Sequence, residues 1–137
     1  MTRSTPSSES QPEFFADRCL GRGASRLLRD QGWIVHDITD HFANDAQDVS
    51  DPDWMRFGLG MGWSLLTQDK RIRTQVEALQ LLAGHHGQIF CLSSGELRVA
   101  ARADRFASHQ AAMRRHIANG RAGFFVVYEQ EVIRRWP

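Results

Sequence analysis

Three aspartates stand where alternating strands and helices would bring them to one edge. Asp17 follows the apolar run Glu13–Ala16, Asp51 heads the series Asp51-Pro52-Asp53-Trp54, and Asp69 comes two residues after Ser64–Thr67. Taken singly, each is a good turn former or helix cap. Gathered together, three or four carboxylates repel one another unless a cation lies among them, and hard oxygen donors select Mg2+ or Mn2+. The chemistry served by such an ion is phosphoryl transfer or phosphodiester hydrolysis, in which it activates a water and neutralises the departing oxygen. Asp53 competes with Asp51 as the ligand from that helix start. Thr67 is placed either to hydrogen-bond a neighbouring carboxylate or simply to fill a β-favoured position.

Beside Asp69 begins a basic run, Lys70, Arg71 and Arg73, in which Lys70 is the only lysine of the chain. Cations next to an acidic rim suit a scissile phosphate and its developing charge; a solvated helix start is the plainer reading. Farther on, Arg98, Arg102, Arg105 and His109 recur at helical offsets and share one face, which either meets RNA phosphates or faces water. Other chemistries find no support. His36 with His41 and His85 with His86 lack the spacing of zinc ligands, and no GxSxG, GxGxxG or GxxxxGK[ST] motif is present.

The elements that must position these groups follow from apolar runs and their breakers. Strands are predicted at Glu13–Ala16, Trp33–Ile38, Ser64–Thr67 and Gln88–Leu92, with Gly123–Arg135 forming one strand or a hairpin bent near Gln130. Helices are predicted at Leu20–Asp30, from an Asp51 N-cap to Gly60 or Gly62, at Thr74–Ala83, and as one long helix over Leu97–Asn119. Residues Thr39–Ser50 read as an acidic loop. Strands alternating with helices predict right-handed crossovers and a three-layer α/β/α domain around a mainly parallel sheet of about five strands. In such a sheet the ligand crevice lies beyond the carboxyl ends of the strands, which is where Asp17 and Asp69 fall.

With 137 residues, 42% of them hydrophobic and 24% charged, the chain has the size and composition of one globular domain, here 13–137 after a polar tail at 1–12. The formal charge of +1 argues neither for nor against a polyanionic partner, but it is unevenly distributed: residues 1–69 carry −5 and residues 70–137 carry +6. No run approaches the about 18 apolar residues of a membrane span, and the first residues lack the apolar stretch of a signal peptide. We therefore expect a cytoplasmic protein with no membrane partner, in which Cys19 and Cys91 are reduced thiols.

The blocks FFADRCLGRG, DPDW, GWSLLTQDKRIR and IFCLSSGEL resemble the PIN-like domains, in particular the branch of VapC-type toxin ribonucleases, over about residues 13–95. The resemblance implies a metal-dependent endoribonuclease, a hydrolase of RNA phosphodiesters using Mg2+ or Mn2+, and the toxin half of a type II toxin–antitoxin pair with a cognate antitoxin protein. Carried over by motif, Asp17, Asp51 and Asp69 are its catalytic metal ligands, with Asp53 the competing assignment. A homodimer is compatible with this reading. The glutamate that many such nucleases place in a helix between the first two acidic positions has no counterpart here. The rivals are a receiver-like signalling module, phosphorylated on one aspartate, and a degenerate PIN-like scaffold without catalysis.

Overall fold

The computed structural model describes residues 11–137, so most of the expected tail, residues 1–10, lies outside the described residues. Gln11 is already held, its side-chain amide donating to the Gly32 carbonyl at 2.8 Å. Six strands form one sheet: β1 (Glu13–Ala16), β2 (Ile34–Asp37), β3 (Ser64–Thr67), β4 (Gln88–Leu92), β5 (Gly123–Val127) and β6 (Val132–Trp136). Their order is β2-β1-β3-β4-β5-β6, parallel throughout except for the antiparallel β5–β6 pair. The sixth strand is the hairpin alternative realised, with Tyr128 N–H donating to the Glu131 carbonyl across the turn.

Side-chain alternation sends successive residues of each strand to opposite layers. Phe14 and Ala16 join Leu66, Phe90 and Phe125 beneath α1 (Arg22–Asp30), α4 (Val99–Ser108) and α5 (Gln110–Ala118). Phe15 joins Leu65, Ile89 and Phe124 beneath α2 (Asp51–Gly60) and α3 (Val76–His85). Each fully buried Phe or Leu contributes about 1.5–3 kcal/mol, so the two layers together hold the sheet between them. On the second face Gly58 is required: a Cβ there would come within 2.5 Å of Phe15 and 2.8 Å of Leu65, and the bare backbone lets α2 sit against β1 and β3.

Several boundaries differ from the sequence expectation, each for a local reason. The first helix does not run from Leu20. Gly21, at φ 83, separates a 3-10 turn at Arg18–Leu20 from α1. The acidic loop holds two 3-10 turns, at Ile38–Asp40 and Asn44–Ala46. The N-cap of α2 is Ser50, whose hydroxyl accepts from Asp53 N–H, so Asp51 sits one position inside the helix. A 3-10 turn, Lys70–Thr74, occupies the basic run, and α3 starts only at Val76. The long helix expected over Leu97–Asn119 is two helices meeting at His109, where the backbone leaves helical geometry and the ring Nε2 lies 3.0 Å from the Glu129 carbonyl.

The crossovers do not all share one hand. The β1–β2 step goes one way with α1 on the first face, while the β2–β3 and β3–β4 steps go the other way with α2 and α3 on the second, which is a single handedness. The β4–β5 step continues in the direction of β3–β4, yet its helices α4 and α5 lie on the first face. This connection therefore has the opposite hand to the other three, against the near-universal rule for parallel strands. As a result, no helix following β4 covers β5 on the second face.

Candidate active site

In a doubly wound sheet the crevice opens where successive connections leave in opposite directions. Here that place is between β1 and β3. Asp17 directly follows β1, and its N–H extends the ladder by donating to the Leu66 carbonyl at 2.9 Å. Its side chain is buried and is held by a defined donor: Thr67 Oγ1 donates to Asp17 Oδ2 at 2.8 Å. The same hydroxyl accepts from Asp69 N–H at 3.0 Å, so one threonine fixes both acidic positions. Burial pushes the Asp17 carboxyl up to about 6, and the charge of Asp51 pushes the same way, while the Thr67 hydrogen bond opposes them.

Cys19 is exposed as a residue, but its sulfur lies within this group, 3.3 Å from Asp17 Oδ2 and 3.4 Å from Thr67 Oγ1. Burial and the Asp17 charge push its thiol up to about 12, which makes it a weak donor and a poor nucleophile. Both cysteines are free. Gln68 completes the rim, donating from Nε2 to the Cys19 carbonyl at 2.8 Å, while its Oε1 is buried with no hydrogen-bond partner among the described residues.

Asp51 arrives from the first turn of α2. Its Oδ1 accepts from Trp54 Nε1 and its Oδ2 from Gln75 Nε2, both at 2.9 Å, which orients the carboxylate and leaves lone pairs on each oxygen. Asp53 is exposed and paired with Arg56 at 3.2 Å, and among the two only Asp51 acts on Asp17. Asp69 is engaged by its neighbour. Arg71 Nε and a terminal guanidinium nitrogen reach its two oxygens at 3.0 and 2.9 Å, and these bonds hold the Asp69 carboxyl below its ordinary range. Thus Arg71, expected to grip phosphate, is spent on a carboxylate. Lys70 instead donates to the Ser93 carbonyl at 3.1 Å, and Arg73 has no acidic group within 4 Å among the described residues.

Two arginines of the expected stripe are bonded within the domain. Arg102 donates to the carbonyls of Leu97 at 2.9 Å and Leu20 at 2.7 Å, and Arg105 donates to Ser93 Oγ at 3.0 Å. Both tie α4 to the body of the domain; of the three, only Arg98 is exposed. Sequence reasoning also passed over Asp37 at the end of β2. It is buried, accepts from Ser25 Oγ, Thr39 N–H and Thr39 Oγ1, and borders a cavity of about 300 Å3 shared with Arg18 and Arg22. The signal was the Asp-x-Thr spacing of an Asx turn.

Among the described residues no three His, Cys, Asp or Glu side chains are grouped to cage a metal. Mg2+ does not require one, since it keeps several waters and takes one or two carboxylates together with substrate phosphate. Asp17 and Asp51, an all-oxygen pair whose mutual repulsion helps to raise the Asp17 carboxyl, fit that requirement. The Asp69 carboxylate is engaged with Arg71 instead.

The fold and this rim define a doubly wound α/β domain with an acidic crevice. The chain belongs to the PIN-like domain family, whose model matches residues 12–94. No curated protein and no solved structure gives a match to it.

Proposed function

We propose that this protein is a Mg2+- or Mn2+-dependent endoribonuclease of the VapC-like toxin branch, paired with a cognate antitoxin. The supporting observation is the buried Asp17 carboxylate at the β1/β3 crevice, held by Thr67 and opposed by Asp51. Asp17 and Asp51 hold the ion, which when bound supplies a nucleophilic water and neutralises charge on the departing oxygen. Thr67 fixes the Asp17 carboxylate through its donated proton. Lys70, one residue beyond Asp69 and exposed, meets the phosphate; Asp69 becomes available to the site as Arg71 moves to substrate.

The test is cleavage of a pool of structured RNAs by purified protein freed of co-purifying partners, with EDTA and Asp17→Asn as controls. Metal-activated water leaves 5′-phosphate and 3′-hydroxyl ends. No cleavage above the Asp17→Asn background, or a cyclic phosphate product, refutes the assignment.

A second reading rests on one observation: the strand order β2-β1-β3-β4-β5 is also that of flavodoxin-like signalling domains, from which the reversed β4–β5 crossover departs. Such a receiver carries an acidic neighbour beside its first-strand aspartate and a lysine beyond β5, where this chain has Arg18 and Tyr128. Incubation with acetyl phosphate and Mg2+ tests it, since a receiver gains the mass of one phosphoryl group.

A further inference from the structure

The reversed β4–β5 crossover leaves a groove on the second face of β5. Phe124 and Val126 form its floor, Tyr128 stands at its upper end, and Lys70, Arg73 and Ser93 line the side next to the crevice. Its volume is about 310 Å3, at the lower end of the about 300–1,000 Å3 of ligand pockets and suited to one nucleotide-sized group. The apolar part of the lining comes from β5, and the charged part is wholly cationic. Tyr128 is only half-buried, and its hydroxyl is gripped by Arg135 through two nitrogens at 3.0 and 2.7 Å, with the guanidinium carbon 5.3 Å from the ring centre. That contact fixes the ring from its hydroxyl end. Lys70 connects the groove to the crevice, being one residue from Asp69 and bonded to the Ser93 carbonyl beyond β4.

An apolar floor, an oriented aromatic ring and cations at the mouth are the parts that single-stranded nucleic acid uses: a base packs on the ring and its phosphate meets the positive charge. A peptide partner would find no row of unpaired backbone groups here, because β5 is bonded on both edges, to β4 and to β6. We propose that this groove is a nucleotide subsite, which holds one residue of the substrate RNA next to the scissile phosphate, its base against the half-buried Tyr128 ring and its phosphate on Lys70 and Arg73. The proposal rests on the ribonuclease reading and adds to it a base-contacting position at a fixed distance from the cut.

The experiment measures binding of a fluorescent single-stranded RNA of about eight nucleotides in EDTA, where no cleavage occurs. Tyr128→Ala is expected to weaken binding about 5- to 150-fold, the range for loss of one stacked base, whereas Tyr128→Phe keeps most of the affinity. Arg73→Gln is expected to reduce the salt slope by about one charge equivalent. Scanning the RNA with single abasic nucleotides then locates the contact. One position should lose affinity in the wild type and lose none in Tyr128→Ala. If the wild type cleaves RNA but no abasic position depends on Tyr128, the subsite is refuted and the nuclease stands. If the wild type neither binds nor cleaves, both fall. Unchanged RNA affinity in Tyr128→Ala, with a weakened complex to a co-expressed protein, assigns the groove to a protein partner and overturns the proposal.

Discussion

Replacing Asp17 by asparagine separates the electrostatic cost of the crevice from its use. The carboxyl ionises at 3.8 when unfolded and at about 6 when folded, so the stability its protonated form contributes is complete below about pH 4 and lost above about pH 6. The difference between those values corresponds to about 3 kcal/mol, an upper figure because the local structure relaxes around a charge. The amide side chain would keep an oxygen for the Thr67 hydroxyl, which now lies 2.8 Å from the carboxylate, and would carry no charge at any pH. In metal-free buffer near about pH 8 the variant should therefore melt up to ~10 °C above the wild type, the conversion expected for a domain of this size. Near about pH 4 the two should melt together. Mg2+ should raise the melting temperature of the wild type only, since a cation that binds the folded state stabilises it by mass action. Scanning calorimetry at the two pH values in EDTA, and again with Mg2+, reads all three. The same melting difference at both pH values would refute the claim that a buried charge is what sets Asp17 apart.

Arg71→Gln releases Asp69; because the Arg71 side chain is 85% exposed, little change in melting temperature is expected, while Mn2+ affinity measured by calorimetry should rise. Arg102→Ala leaves the Leu97 and Leu20 carbonyls without their donor and should cost about 1–3 kcal/mol in urea unfolding, with an unchanged salt slope for RNA binding. Gly58→Ala forces a methyl onto Phe15 and Leu65 and should destabilise by about 1–3 kcal/mol, read from the same unfolding curves. Cys19, with its thiol pushed up to about 12, should react with iodoacetamide near about pH 8 far more slowly than a free thiol, and faster in Asp17→Asn, as mass spectrometry would follow.

Strand positions were legible because each is a short apolar run closed by a turn former, and β1, β3 and β4 lie within the predicted spans. The placement of Asp17 and Asp69 at strand ends followed directly from that pattern. What escaped was set by partners distant in sequence. Nothing in the periodicity of residues 97–119 marks His109 as a break; the Glu129 carbonyl meeting its ring is twenty residues away. The hand of the β4–β5 crossover is invisible for a similar reason, since an apolar stripe says that a helix is covered, not which face of the sheet covers it. Offsets placed Arg98, Arg102 and Arg105 on one side of a helix, but two of them point into the body of the domain, a destination that spacing does not encode. The expected Asp51 N-cap was displaced by Ser50, whose hydroxyl reaches the Asp53 N–H.

The closing hairpin also decides how the domain can be tethered. Four parallel strands run with β1 toward the crevice, whereas β6 runs back, so Trp136 pairs with Phe124 at the start of β5. Gln11, just before β1, is fastened to Gly32, just before β2. Both ends of the described chain thus emerge on the side of the sheet away from Asp17, Asp51 and Asp69. An affinity tag, a surface linkage or a fused domain joined directly after Trp136 or directly before Gln11 starts from the base of the sheet, opposite the acidic mouth.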